Sequence, residues 1–331
     1  MRIFKKAKNN PNVYRLYKYL EQFVYRSILR KENRIFAIHE KVKLNRVSYH
    51  DSSFFGYYGT QPDNKSNILF CVPQGKDYNN PLGIYKKNKS NKEIEKIAES
   101  YTWNWQQGCM LHWFDQNKII FNDYDIRSDI YYSKIVCLST GEIQRIPLPI
   151  YTISHDKKFI LSLSFERLAY FRRDYGYFVK RDNSMSPEAE DGIWYFNFEN
   201  QFHDLILTLE ELINCCDIEK RTTKYLRVNH IDISPDNTKF MFLLRGETKG
   251  NHFTYLMVYD LAECNLNTIY HNQYISHCCW LNNREILSFC KFGDHGKSYV
   301  RFDLNNGKEE IINKLPKVDG HPSVDNSGNW I

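Results

Sequence analysis

From residue 34 onward, short runs of alternating apolar and polar residues are broken by clusters of turn-forming residues. One signal recurs in this texture: a small polar pair, often Pro-Asp or Asp-Asn, followed by a run of large apolar residues. It stands at QPDNKSNILF from Gln61, WFDQNKIIF from Trp113, SHDKKFILSL from Ser154, SPDNTKFMFL from Ser234, WLNNREILSF from Trp280 and SVDNSGNWI from Ser323. The spacings are 52, 41, 80, 46 and 43 residues. The 80 is close to two periods, and DGIWYFNFEN from Asp191 reads as the turn and strand of a missing unit. Segments such as IVCLSTGEIQRI, YLMVYDLAECNLNTI and YVRFDLNNGKEEII end the units as strand, polar turn and strand, which is hairpin chemistry.

A single four-stranded sheet cannot bury both its faces, whereas radial stacking of such sheets can. The expected fold is therefore all-β, a β-propeller with seven blades, six being the alternative count. Blades are expected to open near residues 48, 104, 151, 190, 228, 275 and 320. The last unit stops in mid-strand at Trp330 and Ile331, so the final blade is expected to be incomplete. Stretches 75–101, 172–190 and 203–223 lack a strand pattern and read as long loops, the last holding a short amphipathic helix in LILTLEELINCC. Residues 1–33 differ. Pro11 suits a first helical turn, and Val13, Leu16, Leu20, Phe23 and Val24 recur at helical spacing among basic residues. This predicts a basic helical extension over 11–31, packed on a propeller of residues 34–331 or touching a membrane surface.

Composition adds two constraints. Aromatic residues make up 15% of the chain, with 24 Tyr and 21 Phe, which suits pleated, half-buried surfaces. The formal charge of +6 fits a polyanionic partner such as an acidic glycan or anionic lipid. Nucleic acid is not expected, because no RNP-type or zinc-knuckle pattern occurs. No run approaches the ~20 apolar residues of a transmembrane helix, and no secretory leader is visible, so the expected location is cytoplasmic. The nine cysteines include two vicinal pairs and no CxxC, and are expected to be reduced.

Candidate chemistry gathers around histidines that stand just ahead of apolar strands: His50, His112, His230, His277 and His321. In a propeller such positions converge on one mouth of the central channel. Converging imidazoles can bind a divalent metal or supply a general base, and Asp319 adds a carboxylate. Each histidine can equally serve the core. TWNWQQGCMLHW, with Trp103, Asn104, Trp105, Gln106 and Gln107, offers the amide and aromatic groups that contact sugar rings, or else a Trp-rich blade core. Arg167, near Tyr175 and Tyr177, is placed to neutralise a carboxylate or to pair with Glu166. There is no GxGxxG, P-loop, GxSxG or HExxH, which leaves kinase, nucleotide-binding and serine-hydrolase readings without a foothold.

SYHDSSFFGYYGTQPD, WNWQQGCMLHW, RVNHIDISPDNTKFMFLLRG, ISHCCW and DGHPSVDNSGNWI together resemble the oligogalacturonate lyase-like, TolB-related β-propellers, in a branch marked by FGYY and DGHPS. The resemblance runs from about residue 48 to 331. It implies a polysaccharide lyase-like activity, β-elimination on an acidic, uronate-containing oligosaccharide, with Mn²⁺ held by three His and one Gln. Carried over by motif, His230 matches the base, while His277 and His321 match metal-binding histidines. Asp319 stands where the third ligand His is expected, Pro316 where the Gln is, and Gly192 near the catalytic Arg. With Arg167 as the assisting cation, the implied site has His230 and Arg167 as catalytic residues and His277, His321 and Asp319 on the metal. His50, Gln107, His112 and Tyr177 would contact the substrate. The alternative is a non-catalytic propeller that binds a glycan or a protein partner through the same mouth.

Overall fold

In the computed structural model, which describes residues 46–48, 50, 52–56, 60–75, 77–180, 185–313, 315 and 317–324, the recurring signal marks the turn between two antiparallel strands. The first sheet holds β1 (Asn67–Pro73), β2 (Leu82–Asn88) and β3 (Ile94–Ser100), and Phe54 bridges Cys71 along the free edge of β1. The second holds β4 (His112–Trp113), β5 (Lys118–Asp125), β6 (Ile130–Cys137) and β7 (Ile143–Ile146). The third holds β8 (Thr152–Ile153), β9 (Phe159–Leu163), β10 (Gly192–Asn197) and β11 (His203–Thr208). Helix α1 (Phe165–Phe171) is inserted between β9 and β10, and α2 (Leu209–Cys215) follows β11. The fourth holds β12 (Thr223–Ile233), β13 (Lys239–Thr248), β14 (Asn251–Asp260) and β15 (Asn265–Asn272). The fifth holds β16 (Ile275–Trp280), β17 (Glu285–Lys291), β18 (Lys297–Asp303) and β19 (Glu309–Ile311).

The polar residue of each repeat has a local job. Asn64 Oδ1 accepts the backbone N–H groups of Ser66 and Asn67, and Asp115 Oδ1 those of Asn117 and Lys118. Ser154 Oγ accepts from Lys158 and Phe159, Ser234 Oγ from Lys239, and Asn282 Oδ1 from Arg284 and Glu285. A short side-chain acceptor thus satisfies turn donors at the start of β1, β5, β9, β13 and β17, one strand in each described sheet. This is why the signal repeats with the sheets.

Alternation along the second strands then decides the stacking. In β13, Phe240, Phe242 and Leu244 share a buried cluster with Ile160, Leu161 and Ile193 of the third sheet. Met241 and Leu243, between them in sequence, pack with Ile286, Val300 and Phe302 of the fifth. In β5, Ile120 joins the cluster of the third sheet while Ile119 and Phe121 pack with Leu69 and Ile84 of the first. Each such side chain contributes about 1.5–3 kcal/mol by leaving water. Both faces of a middle sheet are therefore apolar and buried against successive neighbours, and β8 and β16 both lie against β12, the innermost strand of the fourth sheet. This is a β-propeller.

Three expectations need correction. No blade opens near residue 190: β10 pairs with β9 in register, Ile193 opposite Leu163, and is the third strand of the third sheet. The 80-residue spacing arises because α1 and the residues after it are inserted inside one blade, and α2 with a short helical turn, Lys220–Thr222, stands before the next. The stretch 75–101 is no loop, since it carries β2 and β3, and 203–223 carries β11 as well as the expected short helix, α2. The helical extension over 11–31 and the final unit beyond Val324 lie outside the described residues. All nine cysteines are free thiols, five of them buried in strands or cores.

Candidate functional site

Two β-bulges carry the histidines that the sequence was expected to bring to the channel mouth. The pairing of β12 with β13 skips from Asn229 to Asp232, and that of β16 with β17 skips from Ile275 to Cys278. His230 lies in the first irregularity and His277 in the second, each three residues before the last paired residue of its strand, Ile233 and Trp280. A bulge re-aims a side chain that regular pairing would direct between sheets. His230 has a φ of 56°, in the left-handed region that non-glycine residues avoid. Met110, at the equivalent place before the last pair of β4, has a φ of 52°.

The side chains meet. The His230 and His277 rings are 5.7 Å apart between centroids, and the His277 and His321 rings 4.3 Å, both edge-on. Asp319 supports His277. Its carboxylate accepts from His277 Nδ1 at 2.9 Å, Ser276 Oγ at 2.6 Å and Tyr274 OH at 2.8 Å. Burial works to raise the Asp319 pKa, but these hydrogen bonds outweigh it and hold it below the usual carboxylate value. An ionised Asp319 fixes His277 as the Nδ1–H tautomer. Arg245 Nη2 donates to the carbonyls of Ile275 and Ser276 at 2.9 and 3.4 Å, pinning the bulge that carries His277.

His230 is held from the third sheet. Its N–H donates to Tyr151 OH at 2.9 Å, which also accepts from Gln107 Nε2 at 3.3 Å. Tyr175 packs edge-on at 5.8 Å. It can do so because Gly176, lacking a Cβ, lets the loop lie on α1: an added Cβ would stand 1.9 Å from Ala169 N. Burial first, then the charge of Arg245, push the His230 pKa well below its ordinary value, so the ring is a neutral imidazole at neutral pH. Burial and the neighbouring His277 lower that of His321 as well.

The other expected site residues are placed differently. Arg167 is committed to a buried ion pair with Asp191, and its Nη1 and Nη2 donate to the carbonyls of Leu226 and Ser186. It is thus an internal strut and not the assisting cation, and Glu166 pairs with Lys180 at 2.9 Å instead. Gln107 is fully buried and supports Tyr151 instead of facing a substrate. Tyr177 is stacked on Phe165 at 4.2 Å, and its OH accepts from Asn122, which makes it core. His112 lies two residues beyond the His230 register, because it pairs with Ile120 as Asp232 pairs with Met241. Its Nε2 is buried without a partner, and burial drops its pKa to about 3. His50 is exposed beside Tyr85 on the first sheet. At Gly192 an added Cβ would fall 1.9 Å from Leu207 O, so no longer side chain fits where the family's Arg was expected.

The Mn²⁺ expectation is tested by the donor set. Among the described residues no group of three or more His, Cys, Asp or Glu side chains is arranged to hold a metal ion. Asp319 stands behind His277, its oxygens occupied by N–H and O–H donors, so His277, His321 and Asp319 do not form a ligand set. Sequence reasoning missed Tyr274, Ser276, Tyr151 and Arg245. Tyr274 and Ser276 flank His277 in YISHCCW and were within reach of a local reading. Tyr151 and Arg245 act from other strands and left no local signal.

No protein-family model and no curated protein matches the chain. It is similar to TolB from Acinetobacter baumannii, with 13% identity and a TM-score of 0.41 over 78% of this chain and 53% of that one. It is also similar to an oligogalacturonate lyase in complex with manganese, at 11% identity and a TM-score of 0.36 over 79% and 78%. A third is the β-propeller domain of the trilobed protease from Pyrococcus furiosus, at 11% and 0.43 over 78% and 72%. The chain spans about half the length of that TolB. Identities this low carry no activity across. Among the described residues, no helix is long and apolar enough to cross a membrane.

Proposed function

We propose that the mouth formed by His230, His277 and His321 binds an acidic, uronate-containing oligosaccharide in the cytoplasm and cleaves it by β-elimination. The observation that carries this reading is the contact series of three imidazoles, two of them in equivalent bulges, with Arg245 acting on His230. The motif resemblance to oligogalacturonate lyase-like propellers supports it. His230, kept neutral by burial, would take the proton at C5 of the uronate. The C–H electron pair then forms the C4–C5 double bond as the C4–O bond breaks, and the leaving oxygen gains a proton. The positive surroundings favour the enolate-like charge that develops on the carboxylate.

Incubating the full chain with oligogalacturonate and other uronate oligosaccharides, and following the ultraviolet absorbance of the unsaturated product, tests this. His230→Ala should abolish the product while binding survives, because a base acts in the transition state more than in the ground state. Equal loss of affinity and rate would mark His230 as a binding residue. A binding-only propeller is the second reading. Trp105 favours it: the residue is 49% exposed and is backed by Trp103 at 5.1 Å and Phe54 at 5.5 Å, so an indole is available for a sugar to stack on. No product from any uronate tested, with binding retained, selects it.

A further inference from the structure

Beside the histidines, Arg245 has two further arginines for neighbours, Arg227 and Arg172, whose charges no contact described above requires. Arg227 on β12 and Arg245 on β13 are direct cross-strand partners. Like charges placed opposite each other destabilise a sheet. Arg227 Nη1 donates to Tyr225 O at 2.8 Å, while its Nε is buried with no partner. The charges acting on Arg227 are those of Arg245 and Arg172, and among the described residues no carboxylate pairs with it. Burial first, and then these two cations, lower its pKa to about 10. Arg172 is exposed on the rim, its guanidinium 5.2 Å from the Tyr175 ring that packs on His230.

An uncompensated, half-buried guanidinium is costly, and an anion with two or more acceptor oxygens would remove the cost by bridging the forks. We propose that Arg227, Arg245 and Arg172 form an oxyanion subsite next to His230, which takes a carboxylate or phosphate group of the ligand. The subsite rests on the mouth being the ligand site, but not on any elimination taking place there. Guanidinium forks match both oxyanions, so the shared chemistry is a planar or tetrahedral group with at least two free oxygens.

Calorimetric titration of the full chain with inorganic phosphate and with D-galacturonate tests this, with D-galactose as the neutral control. The anions should bind and galactose should not, and added salt should weaken binding. Whichever anion binds tighter distinguishes a phosphate source from a sugar acid. Arg227→Gln should weaken anion binding about tenfold or more. It should also raise the melting temperature of the anion-free protein, since it removes a repelling charge; an arginine with a purely structural role would give a lower one. Arg172→Gln, on the exposed rim, keeps the test open if Arg227→Gln does not fold, and should cut affinity about threefold or more. Failure of the wild type to bind either anion overturns the proposal, as do unchanged affinities in both variants or a lowered melting temperature in Arg227→Gln. Anion binding by a protein that yields no unsaturated product leaves the subsite standing and removes the lyase reading. Product formation without any effect of the arginine variants does the reverse.

Discussion

His230 and His277 occupy the same position in the inner strands of neighbouring blades, each inside a β-bulge, with ring centroids 5.7 Å apart. Forty-seven residues of chain separate them, yet the repeat places them as neighbours. The two differ in support. His277 leans on a carboxylate from the segment after the fifth sheet, whereas His230 is tied through its backbone to Tyr151 of the third.

Tyr151→Phe removes the acceptor for both the His230 N–H and Gln107 Nε2. Two buried donors would lose their partner, which should cost about 1–3 kcal/mol of stability. Urea denaturation measures it. A cost near zero would mean that water or another oxygen takes over, and that Tyr151 does not hold the His230 bulge.

Asp319→Asn keeps the shape but removes the acceptor charge that sets the His277 tautomer. Under the proposed elimination, turnover of the uronate oligosaccharide should fall about tenfold or more, about 1.4 kcal/mol, with stability changed by less than about 1 kcal/mol. The His277 Nδ1–H resonance in NMR spectra should shift or vanish. An unaltered resonance together with unaltered turnover would show that Asp319 does not position His277.

Acid should destabilise the propeller through His112. Its folded pKa, about 3, lies below the ordinary 6.5, so the unfolded chain takes up the proton first. Stability from this residue is complete above about pH 6.5 and is lost as the pH falls toward 3, by about 1.4 kcal/mol per pH unit. The slope of unfolding free energy between pH 6 and 4 should drop by one proton in His112→Asn. An unchanged slope would place the titration elsewhere.

Arg167→Met should cost about 3–5 kcal/mol, because it strands Asp191 as an unpaired buried charge. Arg167→Met combined with Asp191→Leu should cost much less than the single change. Chemical denaturation of the two variants decides this. A double variant as unstable as the single one would show that the arginine acts through its bonds to Leu226 and Ser186, not through the ion pair.

The sequence by itself determined the repeating sheets. Turn-capping residues such as Asn64, Asp115, Ser154, Ser234 and Asn282 act within a few residues of themselves, and alternation in strands such as β13 follows from the pleat. Both are local rules, so both could be read along the chain. His230 and His277 were visible for the same reason, as histidines a few residues before those turns. Only the tertiary structure decided the rest. DGIWYFNFEN looks like a new blade locally, and its membership of the third sheet depends on pairing with β9 across an inserted helix. Arg167, Gln107 and Tyr177 looked like site residues because their chemistry suited a sugar acid. Their burial was set by partners 19 to 59 residues away, which no local pattern reports. The arginine pair at Arg227 and Arg245 exists only through strand register, and the support of His277 by Asp319 only because the chain returns to the same mouth after the fifth sheet.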